Sequence, residues 1–369
     1  MSKLETADQP NPLPGPDAAT QPNAAASAAA KAGVSRLNIV LLALLLIQVV
    51  LIAVTYWPAP ASQANDALLL AGMQAADVDR IALTGVDGVE VELVRGGDGW
   101  LLPNLDDYPA LGDKVEETLT KLLAIETDRL VTRTRESHAR LKVAEQAFER
   151  KVSLHGGDGI EKSIYIGTSA GAGATHVRLE GSDETYLTSE IAAWELNAPI
   201  ANWVELLYVS LPAADLVAVE LSNANGDLSF QRDENGDWQL DGLSEGEALA
   251  ADRISSLLTQ VATVRMTEPV GRTEQPDYGM EAPQATLVLT TRNAAGGEES
   301  VTLLVGAEVD ERDEESDHLF KSSASPYFVT IPGYTAKGFI DKTRADYLVE
   351  ESASGDVESD DPFPSLSSD

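Results

Sequence analysis

The sequence predicts an α+β protein of mainly antiparallel sheet, preceded by one N-terminal transmembrane helix. Three observations predict it. An uncharged apolar stretch, Leu37 to Tyr56, lies near the N-terminus. Behind it come short alternating apolar segments joined by Gly-containing turns, the pattern of strands and hairpins. That pattern occurs twice, each time with one amphipathic helix, so two tandem copies of one unit are expected.

Residues 1–36 are rich in Ala, Pro, Asn and Gln and hold few large apolar groups. Such a segment cannot bury a core and reads as a disordered cytoplasmic leader. The transmembrane helix is placed at 37–57. Twenty helical residues at about 1.5 Å each span roughly the 30 Å hydrocarbon core. Tyr56 and Trp57 stand where an interfacial aromatic belt belongs, and Pro58 stops the helix. Lys31 and Arg36 precede the span, whereas the next charges after it are Asp66, Asp77 and Asp79. The positive-inside rule then puts the N-terminus in the cytoplasm and the bulk outside. A cleaved signal peptide is the rival, because Ala59-Pro60-Ala61 resembles a cleavage site. Its apolar region would normally be only about 7–15 residues long.

After a linker at 58–74, the first unit occupies 75–208 and the second 209–350. The first opens with Val78–Leu83 and Val89–Val94 and ends its hairpin at Trp100. The second opens with Leu216–Leu221 and Leu228–Phe230 and ends at Trp238. Val115, Leu119, Leu122 and Leu123 give one helix an apolar stripe, and Ile254, Leu257, Leu258 and Val261 give the other the same. The pairs Trp100/Trp238, Leu122/Leu257, Gly167/Gly306 and Tyr186/Tyr327 are separated by 138, 135, 139 and 141 positions. Four ordered matches at one spacing argue for tandem units rather than for a short-period solenoid. Residues 351–369, acidic and Ser-rich with two prolines, read as a disordered tail.

Composition narrows the function. The 26 Lys and Arg stand against 60 Asp and Glu, a formal charge of -34. A surface of that sign repels phosphate backbones, so no nucleic-acid partner is expected. With no cysteine, disulfides, thiolate metal sites and cysteine nucleophiles are excluded. The four histidines, His138, His155, His176 and His318, show no metal-ligand spacing.

Several segments resemble sites, and each has a plainer reading. Asp233–Asp237 begins like a calcium loop, but positions six and twelve hold Trp238 and Ser244 instead of Gly and Glu, so a hairpin turn is expected. Asp310–Asp317 packs six acids into eight residues and reads as a solvated loop. Ser169–Ala174 is Gly-rich like a phosphate loop but lacks the following Lys-Ser/Thr, so a hairpin loop is expected. Trp100 and Trp238 read as core anchors rather than stacking platforms. His176 and His318, at similar places in the two units, read as satisfied strand positions. No residue is singled out as catalytic, cofactor-binding or metal-ligating, and no cofactor is expected.

The sequence resembles the DUF4340 family of bacterial proteins over most of 37–350. The resemblance is carried by the N-terminal apolar segment, Gly99-Trp100, Ala250-Ala251-Asp252, Tyr278-Gly279-Met280-Glu281-Ala282-Pro283, Ile166-Gly167 and Val305-Gly306. The first unit departs from the pattern where it carries Leu141-Lys142-Val143 and no proline. The resemblance implies a single-span envelope protein associated with ABC-transporter components and transfers no catalytic residue. The expectation is therefore a non-enzymatic accessory or scaffold protein, held to the inner membrane through Leu37–Tyr56. An enzyme acting on an envelope polymer through carboxylates, or a structural spacer without ligand, are the alternatives.

Overall fold

Alternating burial builds the first sheet. The computed structural model describes residues 40, 41, 43–48, 68–310, 312, 313 and 315–349. After a 3-10 turn at Ala75–Asp77, β1 (Val78–Gly85) buries Val78, Ile81 and Leu83 and turns its polar residues outward. There follow β2 (Glu90–Gly96), β3 (Gly99–Leu102), β4 (Tyr108–Pro109), helix α1 (Gly112–Leu123) and β5 (Leu130–Thr132). Next come helix α2 (Arg135–Arg140), the small hairpin β6 (Val143–Ala144) and β7 (Ala147–Phe148), then β8 (Arg150–Gly156), β9 (Glu161–Gly171), β10 (Ala174–Leu179) and β11 (Thr185–Thr188). The sheet runs β4-β3-β2-β1-β8-β9-β10-β11-β5, antiparallel at every pairing. Val115, Leu119 and Leu122 of α1 are fully buried, so the predicted apolar stripe is the one that packs.

The second half repeats this plan. β12 (Leu207–Ser210) leads to a 3-10 turn at Ala213–Asp215, then β13 (Leu216–Asn223), β14 (Gly226–Arg232), β15 (Trp238–Leu240), α3 (Ala251–Ala262), β16 (Thr263–Arg265) and β17 (Glu268–Gly271). β18 (Ala285–Arg292), β19 (Glu298–Glu308), β20 (His318–Ser322), β21 (Phe328–Ile331) and α4 (Gly333–Ile340) complete it. The sheet order is β15-β14-β13-β18-β19-β20-β21-β17. Leaving out β4, every strand of the first sheet has a counterpart at the same place in the second.

Particular contacts recur as well. Arg95, paired across the strands with Trp100, donates from Nη2 to Ala75 O at 3.2 Å. Arg232, paired with Trp238, donates from Nη1 to Ala214 O at 2.9 Å. Both turns so pinned read Ala-Ala-Asp. The N–H of Leu111, before α1, donates to Trp203 O, and the N–H of Ala250, before α3, donates to Tyr347 O. A Cβ on Gly167 would lie 2.1 Å from Leu141 O, and one on Gly306 would lie 2.1 Å from Tyr278 O. In both halves, then, a strand glycine lets the preceding connection cross close against the sheet.

These registers correct three of the sequence matches. Leu122 is the eleventh residue of α1, and Val261, not Leu257, is the eleventh of α3. An apolar stripe repeats nearly every turn, so a match one turn out of step looks as good. Val177 faces Ile166 and Tyr186, whereas Phe320 faces Val305 and Val329. Hence Tyr186 corresponds to Val329 rather than Tyr327, and His176 to Leu319 rather than His318. A one-residue slip in a strand moves a side chain to the other face, so the two histidines do not share a surface.

One hydrophobic core cluster runs through both halves, from Leu69 to Tyr347. A smaller cluster lies outside each sheet. Leu141, Val143 and Tyr165, with Phe148, form the first, and Met280, Leu319 and Phe328 form the second. The halves meet at the β4 side of the first sheet and the β17 side of the second. There the rings of Tyr108 and Tyr327 are 4.6 Å apart, edge to face. Tyr327 Oη donates to Asp107 O at 2.7 Å, and Arg272 N–H donates to Asp106 Oδ2 at 2.7 Å. Burial, with Tyr208, Tyr327 and Glu205 nearby, pushes the Tyr108 hydroxyl up to about 12. Asp106 and Asp107 both take left-handed backbone, with φ of 54° and 60°.

Among the described residues no helix is long and apolar enough to cross a membrane. Residues 40, 41 and 43–48 are helical. The rest of the expected span Leu37–Tyr56 lies outside the described residues, as do the leader 1–36, linker residues 58–67 and the tail 351–369.

Candidate functional site

The halves differ most in one connection, residues 133–149 in the first and the shorter 272–284 in the second, and the extra structure in the first is the insertion. Between β17 and β18 the chain makes only a 3-10 turn, Pro276–Tyr278. Between β5 and β8 it makes α2 and the β6–β7 hairpin. Thr132, Thr134 and Ser137 hydroxyls, at 3.0 and 2.9 Å from one another in turn, tie the start of α2. The insertion and the β10–β11 turn border an open cavity of about 560 Å³ lined by Arg135, His138, Ala144, Glu145, Arg178, Ser182 and Asp183, among others.

Arg178 is the unusual member of this wall. It sits on β10 and is only 4% exposed. Its Nε donates to Val143 O at 2.6 Å, and its Nη1 to Ser182 O at 3.0 Å and more weakly to Leu179 O. Its guanidinium carbon lies 4.7 Å from the Tyr165 ring centre, a cation–π contact. Among the described residues no carboxylate lies within ion-pair distance of it. Burial pulls its pKa down from the ordinary value, but a guanidinium stays charged in proteins.

Arg135, Asp183 and His138 in the wall are already engaged with one another. Arg135 Nε donates to Asp183 Oδ1 at 2.5 Å, which holds the Asp183 carboxyl below its usual range. His138 is buried, with Nε2 3.0 Å from Asp183 O. Behind Arg178, burial and a 2.6 Å hydrogen bond to Glu180 Oε1 push the Tyr165 hydroxyl up.

A second cleft, of about 480 Å³, opens where the halves meet. Asp98, Trp100, Asp107, Arg272 and Tyr327 line it. Arg272 is stacked on the Tyr327 ring and donates to its hydroxyl. The cleft is thus walled by groups that also hold the two halves together.

The segments marked in the sequence lie elsewhere. Asp233–Asp237 forms the β14–β15 turn, and Asp233 Oδ1 accepts from the N–H groups of Asn235 and Asp237 at 2.9 and 3.0 Å. Ala172 and Gly173, both at positive φ, form the two-residue β9–β10 hairpin turn. Asp310 pairs with Arg312 at 3.0 Å. Among the described residues no group of three or more His, Asp or Glu is placed to hold a metal ion. His176 Nδ1 lies 2.7 Å from Thr168 O, and His318 Nδ1 lies 3.2 Å from Ser316 O, so both are satisfied in place. Trp100 is 2% exposed and donates from Nε1 to Glu116 Oε1 at 2.7 Å, a core anchor. Trp238 meets the expectation only in part, packing against the same core while remaining partly exposed. Among the described residues no β4 counterpart lies beside it to close the sheet edge.

Arg178, Arg135 and His138 were not marked as site residues in the sequence. The one signal pointing to them is the departure at Leu141-Lys142-Val143, which lies in the segment that forms the cavity.

A family model described as a domain of unknown function (DUF4340) matches residues 100–283. The match is shorter than the expected 37–350 and crosses from the first half into the second. No curated protein and no solved structure matches the chain. The chain is a DUF4340 domain-containing protein.

Proposed function

We propose that this is a bacterial envelope protein, held in the inner membrane by one N-terminal helix at Leu37–Tyr56, with its duplicated body outside the cytoplasm. Its role is that of a non-enzymatic accessory or scaffold for a membrane partner such as an ABC-transporter component. The observation that carries the anchor is the helical backbone at residues 40, 41 and 43–48, where Val40, Leu41, Leu44, Leu45, Leu46 and Ile47 are each more than half exposed. Burying one such side chain is worth about 1.5–3 kcal/mol, and a bilayer would bury all six. Lys31 and Arg36 on one side and acidic residues on the other support the orientation. The matching sheet orders support a duplicated unit. A tether that holds two such units at the membrane raises their local concentration there, which suits scaffolding.

A periplasm-active reporter fused after residue 350 should be active, and the mature chain should keep Met1. A mature N-terminus at Ser62, or a reporter active only in the cytoplasm, would overturn the anchor. Cross-linking in membranes should then capture a transporter subunit. Recovery of the chain without any membrane partner would overturn the scaffold reading in favour of the spacer or the envelope-polymer enzyme.

A further inference from the structure

We propose that the cavity between α2, the β6–β7 hairpin and the β10–β11 turn binds an oxyanion, a carboxylate or phosphate group borne on a small molecule, with Arg178 as its anchoring donor. The comparison with the second half separates this role from a structural one. Arg178 corresponds in register to Lys321, because Val177 and Phe320 face matching partners. Lys321 donates from Nζ to Ser322 O and Ser325 O, the carbonyls one and four residues on. Arg178 donates from Nη1 to Leu179 O and Ser182 O, again one and four residues on. Pinning this turn therefore requires only an ammonium.

The guanidinium supplies more. Its Nε holds Val143 O on the insertion, and its Nη2 has no partner among the described residues and is not sealed from solvent. The result is a buried, permanently charged group, without an ion-pair partner, in the wall of a cavity large enough for an organic anion. Guanidinium groups match carboxylate and phosphate oxygens in geometry and bind them with charge-assisted hydrogen bonds. Arg135 lends a second cation to the wall, and its bond to Asp183 neutralises that acid. Glu145, exposed on the hairpin turn, is the one lining carboxylate without such a pair and opposes an incoming anion.

The test is titration calorimetry of the full chain in detergent, in about 0.15 M salt to screen its acidic surface. Inorganic phosphate and succinate are the two probes. At least one should bind saturably at a single site at millimolar concentration, and the tighter of the two identifies the anion class. Arg178→Lys keeps the turn contacts that Lys321 makes but loses the bond to Val143 O, so it should still fold, with a lowered melting temperature, and bind about tenfold more weakly or worse. Glu145→Gln should tighten binding, and Arg135→Ala should weaken it. Should Arg178→Lys fail to fold, the opposite shifts of the two exposed-site variants decide the matter. Absence of saturable binding by both probes, or unchanged affinity in Arg135→Ala and Glu145→Gln, would overturn the proposal.

Discussion

The two halves share a strand order and diverge at one connection. In the second half the chain passes from β17 to β18 through a short turn and Gly279-Met280. In the first it passes from β5 to β8 through a helix and a hairpin; both outer faces are covered, but Arg178 on β10 is buried whereas its counterpart Lys321 on β20 is partly exposed. Where the covering insertion exists, the β10 cation is Arg. Where it does not, the matching cation is Lys. The shared contacts keep the fold, and the unshared segment makes the pocket. The difference teaches that function in a duplicated protein is best sought where the copies stop agreeing.

The tryptophans give the largest test of that comparison. They hold matching positions, but Trp100 is buried, bonded to Glu116 and overlaid by Arg95 at 4.5 Å, whereas Trp238 is partly exposed on an edge strand. Trp100→Ala should cost about 3–5 kcal/mol. Trp238→Ala should cost about 1–2 kcal/mol, since less apolar area returns to water. Denaturant melts of the two variants measure both. Equal losses would mean that the β4 strand, the element present only in the first half, does not govern how this site packs.

The strand glycines test the opposite claim, that the halves agree where the backbone is tight. A methyl on Gly167 or Gly306 meets a main-chain carbonyl at 2.1 Å, which no side-chain rotation relieves. Gly167→Ala and Gly306→Ala should each destabilise by about 2–3 kcal/mol. Similar losses would confirm one shared crossing. A loss in only one would show that the insertion has relaxed the crossing in the first half.

These positions also show what was legible in advance. The α+β class, the two helices and the Gly167/Gly306 match follow from periodicity and turn chemistry, which are local. Register was legible only in part. The stripe on α1 fits α3 equally well one turn away, and the histidines and Tyr186 slip by one or two residues because strand identity carries no pairing information. The cavity was not legible at all. Arg178 lies in a segment, His176-Val177-Arg178-Leu179, that reads as an ordinary strand, and its burial is imposed by α2 and β6–β7 from about 35 residues earlier. No sequence period reports a contact of that kind.

The smallest effect lies at the point where the halves part. Gly279 has φ of 71° and Lys142 has φ of 58°, and both stand just before the residue that enters the satellite core, Met280 or Val143. The carbonyls of Leu141 and Tyr278, one residue earlier, face Gly167 and Gly306. The same left-handed step is therefore made by Gly in one half and by Lys in the other. For a residue with a Cβ this conformation costs roughly 1–2 kcal/mol. Gly avoids that strain but loses up to about 1 kcal/mol more backbone entropy on folding. Lys142→Gly should thus stabilise the protein by about 0.5–1 kcal/mol, and Gly279→Ala should destabilise it by about 1 kcal/mol or more, because its Cβ would also crowd Ala307 N at 3.0 Å. Paired melts of these variants set the sign. Destabilisation by Lys142→Gly would mean that the Lys142 side chain makes a contribution larger than its backbone strain. The insertion would then have supplied this position with a role that its counterpart in the second half does not have.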